Sequence, residues 1–197
     1  MSINFNEEKH IYTVDGSVYP SVTTILKSVG YVNLDQIPHR ILEYKRELGK
    51  NVHLATQYCD EKILDEATVG EAEKLYFEGY TKFLLENQPE ILEIEQPLAS
   101  KKFRFAGTPD RIVTITGDKG VLEIKCTAEI MPAARVQTMA YKMAYNEMNP
   151  KERAKNRWIL HLKGNGEYNL VPCSKDNEDK TAFLNALGAH NWKERYL

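Results

Sequence analysis

The chain predicts an α/β fold: a mixed central β-sheet flanked by helices, preceded by a helical N-terminal region. Three observations predict it. Apolar residues recur at near-helical spacing through residues 40–66, short apolar strands separated by turn residues occupy residues 90–126, and a helix, two strands and a last helix follow. With 197 residues, 42% hydrophobic and 27% charged, the chain suits one domain with a sizeable core. The expected division is 1–88, a hairpin with helices, and 89–197, the α/β core. No repeat, low-complexity tract or Pro/Gly/Ser-rich linker interrupts it.

Ile11 to Tyr19 reads as a hairpin turning at Asp15-Gly16, and Ser21 is placed to cap a short helix through Lys27. Helices are expected over most of Gln36 to Asn87. Within them Ile41, Leu48, Val52, Ala55, Cys59 and Ile63 form one apolar stripe with His53 beside it. Gly49, four residues before His53, shares its face; it marks either a helix break or a place where something approaches the histidine closely. Glu90 to Leu98 begins the sheet, with Glu95 on it. Phe103 to Val113 reads as one strand broken by a bend, since Gly107 permits unusual dihedrals and Pro109 lacks a ladder donor. The Thr116-Gly117-Asp118-Lys119-Gly120 loop returns the chain antiparallel into the strand Val121 to Cys126. Ala133 to Met148 is helical. Arg157 to Lys163 and Glu167 to Pro172 pair around Gly164-Asn165-Gly166, and Asp176 caps a final helix carrying Phe183, Leu184 and Leu187.

The chemistry concentrates in the middle of the sheet. Glu-x-Lys spacing also occurs at Glu7/Lys9, Glu43/Lys45 and Glu178/Lys180, in polar or helical surroundings. Glu123 and Lys125 instead alternate with Leu122, Ile124 and Cys126, so both charges leave the same face of a largely buried strand. Alone, the pair also reads as a structural ion pair. Asp110, just past the Gly107-Thr108-Pro109 bend, either caps that turn or lies beside Glu123 across the antiparallel pair. Two carboxylates held together call for a cation, and oxygen ligands suit Mg²⁺ or Mn²⁺. On local grounds His53 is equally a hydrogen-bonded structural histidine. Gln137, Tyr141 and Tyr145 share one helical face that suits either hydrogen bonding to phosphates and bases, positioning of Lys125 by Gln137, or plain packing. Arg135, Lys142, Arg104, Lys101 and Lys102 form a candidate phosphate track or solvated surface.

These residues resemble a known family. Pro109-Asp110 followed by Glu123-Ile124-Lys125 is similar to the signature of the PD-(D/E)xK nuclease superfamily. Gly49 to His53 looks like the Gly-xxx-His motif of its RecB-like exonucleases, and Gln137 to Tyr141 like their Gln-xxx-Tyr motif. Tyr19 to Leu26 resembles a segment of the phage-type and mitochondrial genome maintenance exonucleases in that branch. The likeness spans roughly residues 10 to 145, in the family's order.

The resemblance implies a restriction-endonuclease-like core and a metal-dependent DNA exonuclease leaving a 5′-phosphate and a 3′-hydroxyl. Asp110, Glu123 and Lys125 would be catalytic. His53, Asp110, Glu123 and the main-chain carbonyl of Ile124 would hold one or two Mg²⁺ or Mn²⁺ ions, with Glu95 as an accessory acid; imidazole favours Mn²⁺. Lys125 would orient water and offset phosphate charge. Gln137, Tyr141, Arg135, Ser21, Thr23 and Thr24 would contact DNA, either single-stranded or at linear duplex ends. A role in replication, recombination or repair, with a protein partner from those processes, is implied, in the host cytoplasm if the chain is phage-encoded. Two alternatives share the signature: a structure-specific endonuclease, and a catalytically silent DNA-binding module.

Composition bounds the rest. Some relatives hold an iron-sulfur cluster on four cysteines, whereas only Cys59, Cys126 and Cys173 occur here, which implies no such cluster and a reducing compartment. No membrane-spanning run or export signal is expected, and no Arg-rich amphipathic leader. A net charge of -2 and a pI near 6.2 argue against tight nonspecific DNA binding. A nuclease escapes that objection, because metal neutralises its acidic pocket in the working state.

Overall fold

The computed structural model describes residues 1–33 and 37–197. Its centre is a five-stranded sheet in the order β10-β9-β8-β7-β4, made of β4 (Glu90–Ile94), β7 (Arg111–Ile115), β8 (Asp118–Lys125), β9 (Asn156–Leu162) and β10 (Tyr168–Pro172). Only β8 and β9 run parallel, and the helix α4 (Ala133–Met148) supplies the crossover that a parallel pair requires. The sheet is therefore mixed, as expected. Around it stand α1 (Val22–Ser28), α2 (His39–Asp60), α3 (Glu71–Asn87) and α5 (Asp176–Tyr196). The expected helical start at Gln36 lies outside the described residues.

Strand alternation splits the core in two. Val113, Ile115, Leu122, Ile124 and Leu160 pack with Leu48 and Val52 of α2 and Phe77, Tyr80 and Phe83 of α3. Ile112 and Val121 point the other way, to Val22 and Ile25 of α1, Ala140 and Tyr141 of α4, and Phe183 and Leu187 of α5. Emptying one fully buried site such as Phe83 by alanine costs about 3–5 kcal/mol. No helix among the described residues is long and apolar enough to cross a membrane.

Several local expectations change. Phe103 to Val113 is not one bent strand: β6 (Phe105–Gly107) pairs with β5 (Leu98–Ser100) in a separate two-stranded sheet, and only β7 joins the main one. The return turn is just Thr116-Gly117, with φ of 51° and 85°, so Asp118 to Gly120 are already strand. Positive φ at both central residues matches the twist of a two-residue hairpin. The Asp15-Gly16 hairpin forms as expected between β2 (Ile11–Val14) and β3 (Ser17–Tyr19), with an unforeseen strand β1 (Ile3–Asn6) on its open side. Ile41 and Ile63 leave the apolar stripe, at 51% and 65% exposed. Helix α2 passes through Gly49 unbroken, and a Cβ there would meet nothing within 4 Å, so neither a helix break nor a close approach by the protein explains it. Asp176 is the first helical residue of α5 rather than its cap, because its carboxylate is taken by Arg157 and Lys142.

Candidate metal centre

The antiparallel register sets Arg111 opposite Leu122, which brings Asp110, at the mouth of β7, alongside Glu123. Asp110 Oδ2 accepts the Ile124 N–H at 2.5 Å, so the first acid is locked to the strand carrying the second. Gly107 permits this not through an unusual dihedral but through close packing. A Cβ on it would come within 2.5 Å of the Tyr141 ring. Next, Thr108 is tied to the β1–β3 sheet by a 2.8 Å hydrogen bond with the Tyr12 hydroxyl.

From α2, His53 Nδ1 lies 3.3 Å from Asp110 Oδ1. Glu95 arrives just beyond β4 with φ at 46°, and its N–H donates to the Asp110 carbonyl at 3.1 Å. A left-handed non-glycine residue costs about 1–3 kcal/mol, and such strain concentrates at functional sites. His53, Glu95 and Asp110 offer ligand atoms that all lie within 4.8 Å of one another. Glu95, expected as an accessory acid, is thus one of three residues whose ligand atoms come together.

Glu123 completes the group differently. Its Oε1 accepts both Lys125 Nζ and Gln137 Nε2 at 2.8 Å, while its Oε2 is buried with no partner. An orphaned buried carboxylate oxygen is costly, and a place for a cation is a standard reason for one. Asp110 and Glu123 are only 6% and 3% exposed.

The electrostatics follow from crowding acids in a dry place. Burial, then the Asp110 charge, pushes Glu123 up to about 7 and Glu95 up to about 8. Burial also pushes Asp110 upward, but the His53 ring beside it, Lys125 and the Ile124 N–H bring it below the usual carboxylate range. His53 is raised in turn: burial opposes its charge, and Asp110 more than compensates. Lys125 is likewise raised, with Glu123 and Asp110 outweighing its desolvation. Three acids thus face Lys125 and His53, with the Arg111 guanidinium near Glu95 already paired to Asp60, and a divalent cation would relieve the excess.

A buried guanidinium frames the site and escaped the sequence reading. Arg111 Nε donates to Asp60 Oδ2 at 2.6 Å, the Tyr80 hydroxyl donates to the same oxygen at 2.6 Å, and an Arg111 terminal nitrogen donates to the Asp110 carbonyl at 2.6 Å. The same nitrogen lies 3.6 Å from Glu95 Oε1. Arg111 therefore ties α2 and α3 to the strand ends bearing Asp110 and Glu95. One signal was present: an arginine opening the apolar run Ile112-Val113 must be paired if it is buried.

The remaining anticipated contacts have other partners. Gln137 engages Glu123, and also the Tyr141 hydroxyl at 3.0 Å; it does not act on Lys125 directly. Tyr141 is enclosed, which removes it from any strand-contacting surface. Arg135 faces Asp179 at 3.3 Å. Ser21 is buried and caps α1 through the Thr24 N–H, while its hydroxyl also meets those of Thr23 and Thr24. The other candidate cations have these partners: Lys101 pairs with Asp15, Lys102 lies over the Phe103 ring, Arg104 lies over the Tyr19 ring, and Lys142 is buried against Asp176.

No protein-family model matches this chain, and no curated protein matches it. Among solved structures it is similar to an alkaline exonuclease (LHK-Exo) from Laribacter hongkongensis, at 14% identity and a TM-score of 0.41 over 90% of this chain and 92% of that one. The same exonuclease in complex with dAMP gives 14% and 0.39 over the same shares. A structure titled SSO0001 gives 12% identity and 0.35, covering 89% of this chain and 90% of that one. Likenesses at this level carry no argument, so the reading of the site stands on its own side chains.

Proposed function

We propose that this chain is a metal-dependent deoxyribonuclease that hydrolyses phosphodiester bonds, acting as an exonuclease. The observation that carries the reading is the unpartnered, buried Glu123 oxygen beside the His53, Glu95 and Asp110 cluster, with Lys125 fastened to the other Glu123 oxygen. The donor set fits Mg²⁺ or Mn²⁺, being carboxylate oxygens with a single imidazole. His53, Glu95, Asp110 and Glu123 would hold the ion, and the Ile124 main-chain carbonyl is a further proposed ligand. When bound, such an ion supplies Lewis acidity toward a phosphoryl oxygen and acidifies a bound water.

The chain's own groups do the rest. Lys125, held by Glu123 and still 24% exposed at its side chain, presents positive charge to phosphate oxygens as negative charge develops there. Gln137 donates to the same Glu123 oxygen as Lys125, so this carboxylate cannot rotate its free oxygen out of the site without breaking two hydrogen bonds. Arg111 fixes the Asp110 carbonyl and stands beside Glu95, which keeps the acids convergent before any cation arrives.

Exonuclease action, and a place at the DNA ends of replication, recombination or repair, rest on the motif resemblance. End-labelled single- and double-stranded DNA, linear and circular, incubated with Mg²⁺, Mn²⁺ or chelator, tests both levels. Linear substrates should shorten from an end only when metal is present, with circles intact. Cut circles would make the protein an endonuclease with the same site; no cleavage together with no Mn²⁺ heat in calorimetry would leave a silent module.

A further inference from the structure

At the far end of β8 from Lys125 lies a cavity of about 960 Å³, bounded by the C-terminal half of α4, residues 150–155, the start of α5 and the β5–β6 turn. Seven cations and three carboxylates line it, in a chain whose net charge is -2, so the protein concentrates positive charge here against its overall sign. Two of those cations are spoken for: Lys119 by Glu152 at 2.9 Å, and the buried Lys142 by Asp176 and the Lys155 carbonyl. Lys151, Arg153, Lys155 and Lys180 are exposed, and their side chains have no carboxylate partner among the described residues. Phe103, Met139 and Met143 line the same cavity, so apolar side chains share it with the cations.

Cations beside aromatic and polarizable side chains are the chemistry that takes a nucleic acid strand, phosphates on the charges and bases on the apolar groups. A small anion would instead need donors converging on one point, and here the cations come from five separate segments of the chain. We propose that this cavity is a second binding site, for the phosphate backbone of a single nucleic acid strand. The choice of ligand rests on the nuclease reading; the existence of an anion-binding site does not. Lys119 and Lys125 stand six positions apart on β8, about 20 Å at strand spacing, so the cavity and the carboxylates lie at opposite ends of that strand. The cavity would engage a part of the nucleic acid distinct from the part at the metal centre.

Fluorescence anisotropy of a labelled oligothymidylate 20-mer, in chelator so that no cleavage occurs, tests the proposal. Lys151→Glu, Arg153→Glu and Lys180→Glu together should weaken binding at least tenfold and lower the salt slope by about two, since each lost single-strand phosphate contact removes roughly 0.7. Equal weakening by Lys9→Glu, Lys62→Glu and Lys74→Glu, an identical charge change elsewhere, would reduce the effect to bulk electrostatics and overturn the proposal. So would unchanged binding by the cavity variant, or polyglutamate binding as tightly as the oligonucleotide. The nuclease reading fails separately: absence of metal-dependent cleavage alongside cavity-dependent strand binding would sink that reading and leave this one standing.

Discussion

Two regions of this molecule bury charge, and they solve the problem in opposite ways. On one side of the sheet Arg157 donates to Asp176 at 2.9 Å, to Asp179 at 2.9 Å and to the Arg135 carbonyl at 2.8 Å, while Lys142 and Arg135 complete the two acids. Every charge there has its counter-charge. At the mouth of β7 and β8, three acids converge with one lysine and one histidine, and Glu123 Oε2 is the buried side-chain atom left without a partner among the described residues. A closed network holds α4, α5 and β9 together. An open one leaves Glu123 Oε2 unpartnered, and that difference, more than burial, is what the metal proposal draws on.

The largest effect should come from breaking the closed network. Arg157→Ala opens a buried hole and removes a charge-assisted hydrogen bond to each acid, although Lys142 and Arg135 still face them, and at about 1.5–3 kcal/mol per bond the loss is about 3–5 kcal/mol. In a domain of this size that lowers the thermal midpoint by roughly 6–20 °C, which differential scanning calorimetry would read. Lys125→Ala should behave in the reverse sense. Cleavage should fall by about 10²–10³, the usual loss for a group that stabilises transition-state charge, with the midpoint nearly unchanged. A Lys125 variant that melts early but cuts normally would exchange the two roles.

The two regions should also fail at opposite ends of the pH scale. Asp176 is lowered: burial opposes this, but Lys142 and Arg157 prevail, so its contribution is present above the ordinary Asp range and lost on acidification. Glu123 and Glu95 are raised above their ordinary value of 4.5, so their contribution is complete below that range and is lost as pH climbs through about 7 and about 8. Metal-free protein should therefore lose stability from about pH 4.5 to about pH 8. Mn²⁺ at a hundred times its dissociation constant should restore about 2.7 kcal/mol at the alkaline end, worth roughly 5–10 °C. Glu123→Gln should melt higher than the wild type in chelator at pH 8.5 and gain less from Mn²⁺. Equal midpoints for the two would mean that Glu123 carries no charge penalty.

How much of this was legible in the chain depends on how local the cause was. Glu123, Lys125 and Asp110 could be placed because strand alternation and one antiparallel turn decide their neighbours. His53 joined them through a motif rather than through periodicity. Arg111, Asp60 and Tyr80 were invisible as a group, since Asp60 and Arg111 are 51 positions apart and meet only once α2 packs on the sheet. Tyr141 was misread for a related reason: its depth is set by Gly107, on another element, which leaves room for the ring. Lone residues with polar ends have two readings, and only tertiary packing chooses between them.

The smallest effect tests why the open region stays open. Gly49 sits in the interior of α2, one turn before His53, where alanine would meet nothing within 4 Å of its new methyl group. Helix propensity alone makes Gly49→Ala stabilising by about 1 kcal/mol, or roughly 2–4 °C. A gain this cheap, left untaken beside the proposed ligands, is accounted for if the space belongs to the substrate and not to the protein. The variant should then melt higher yet show a KM raised about fivefold with little change in kcat, the kinetic form of a clash on binding. Higher stability with unchanged kinetics would return Gly49 to the ordinary surface and confine the open region to the acids themselves.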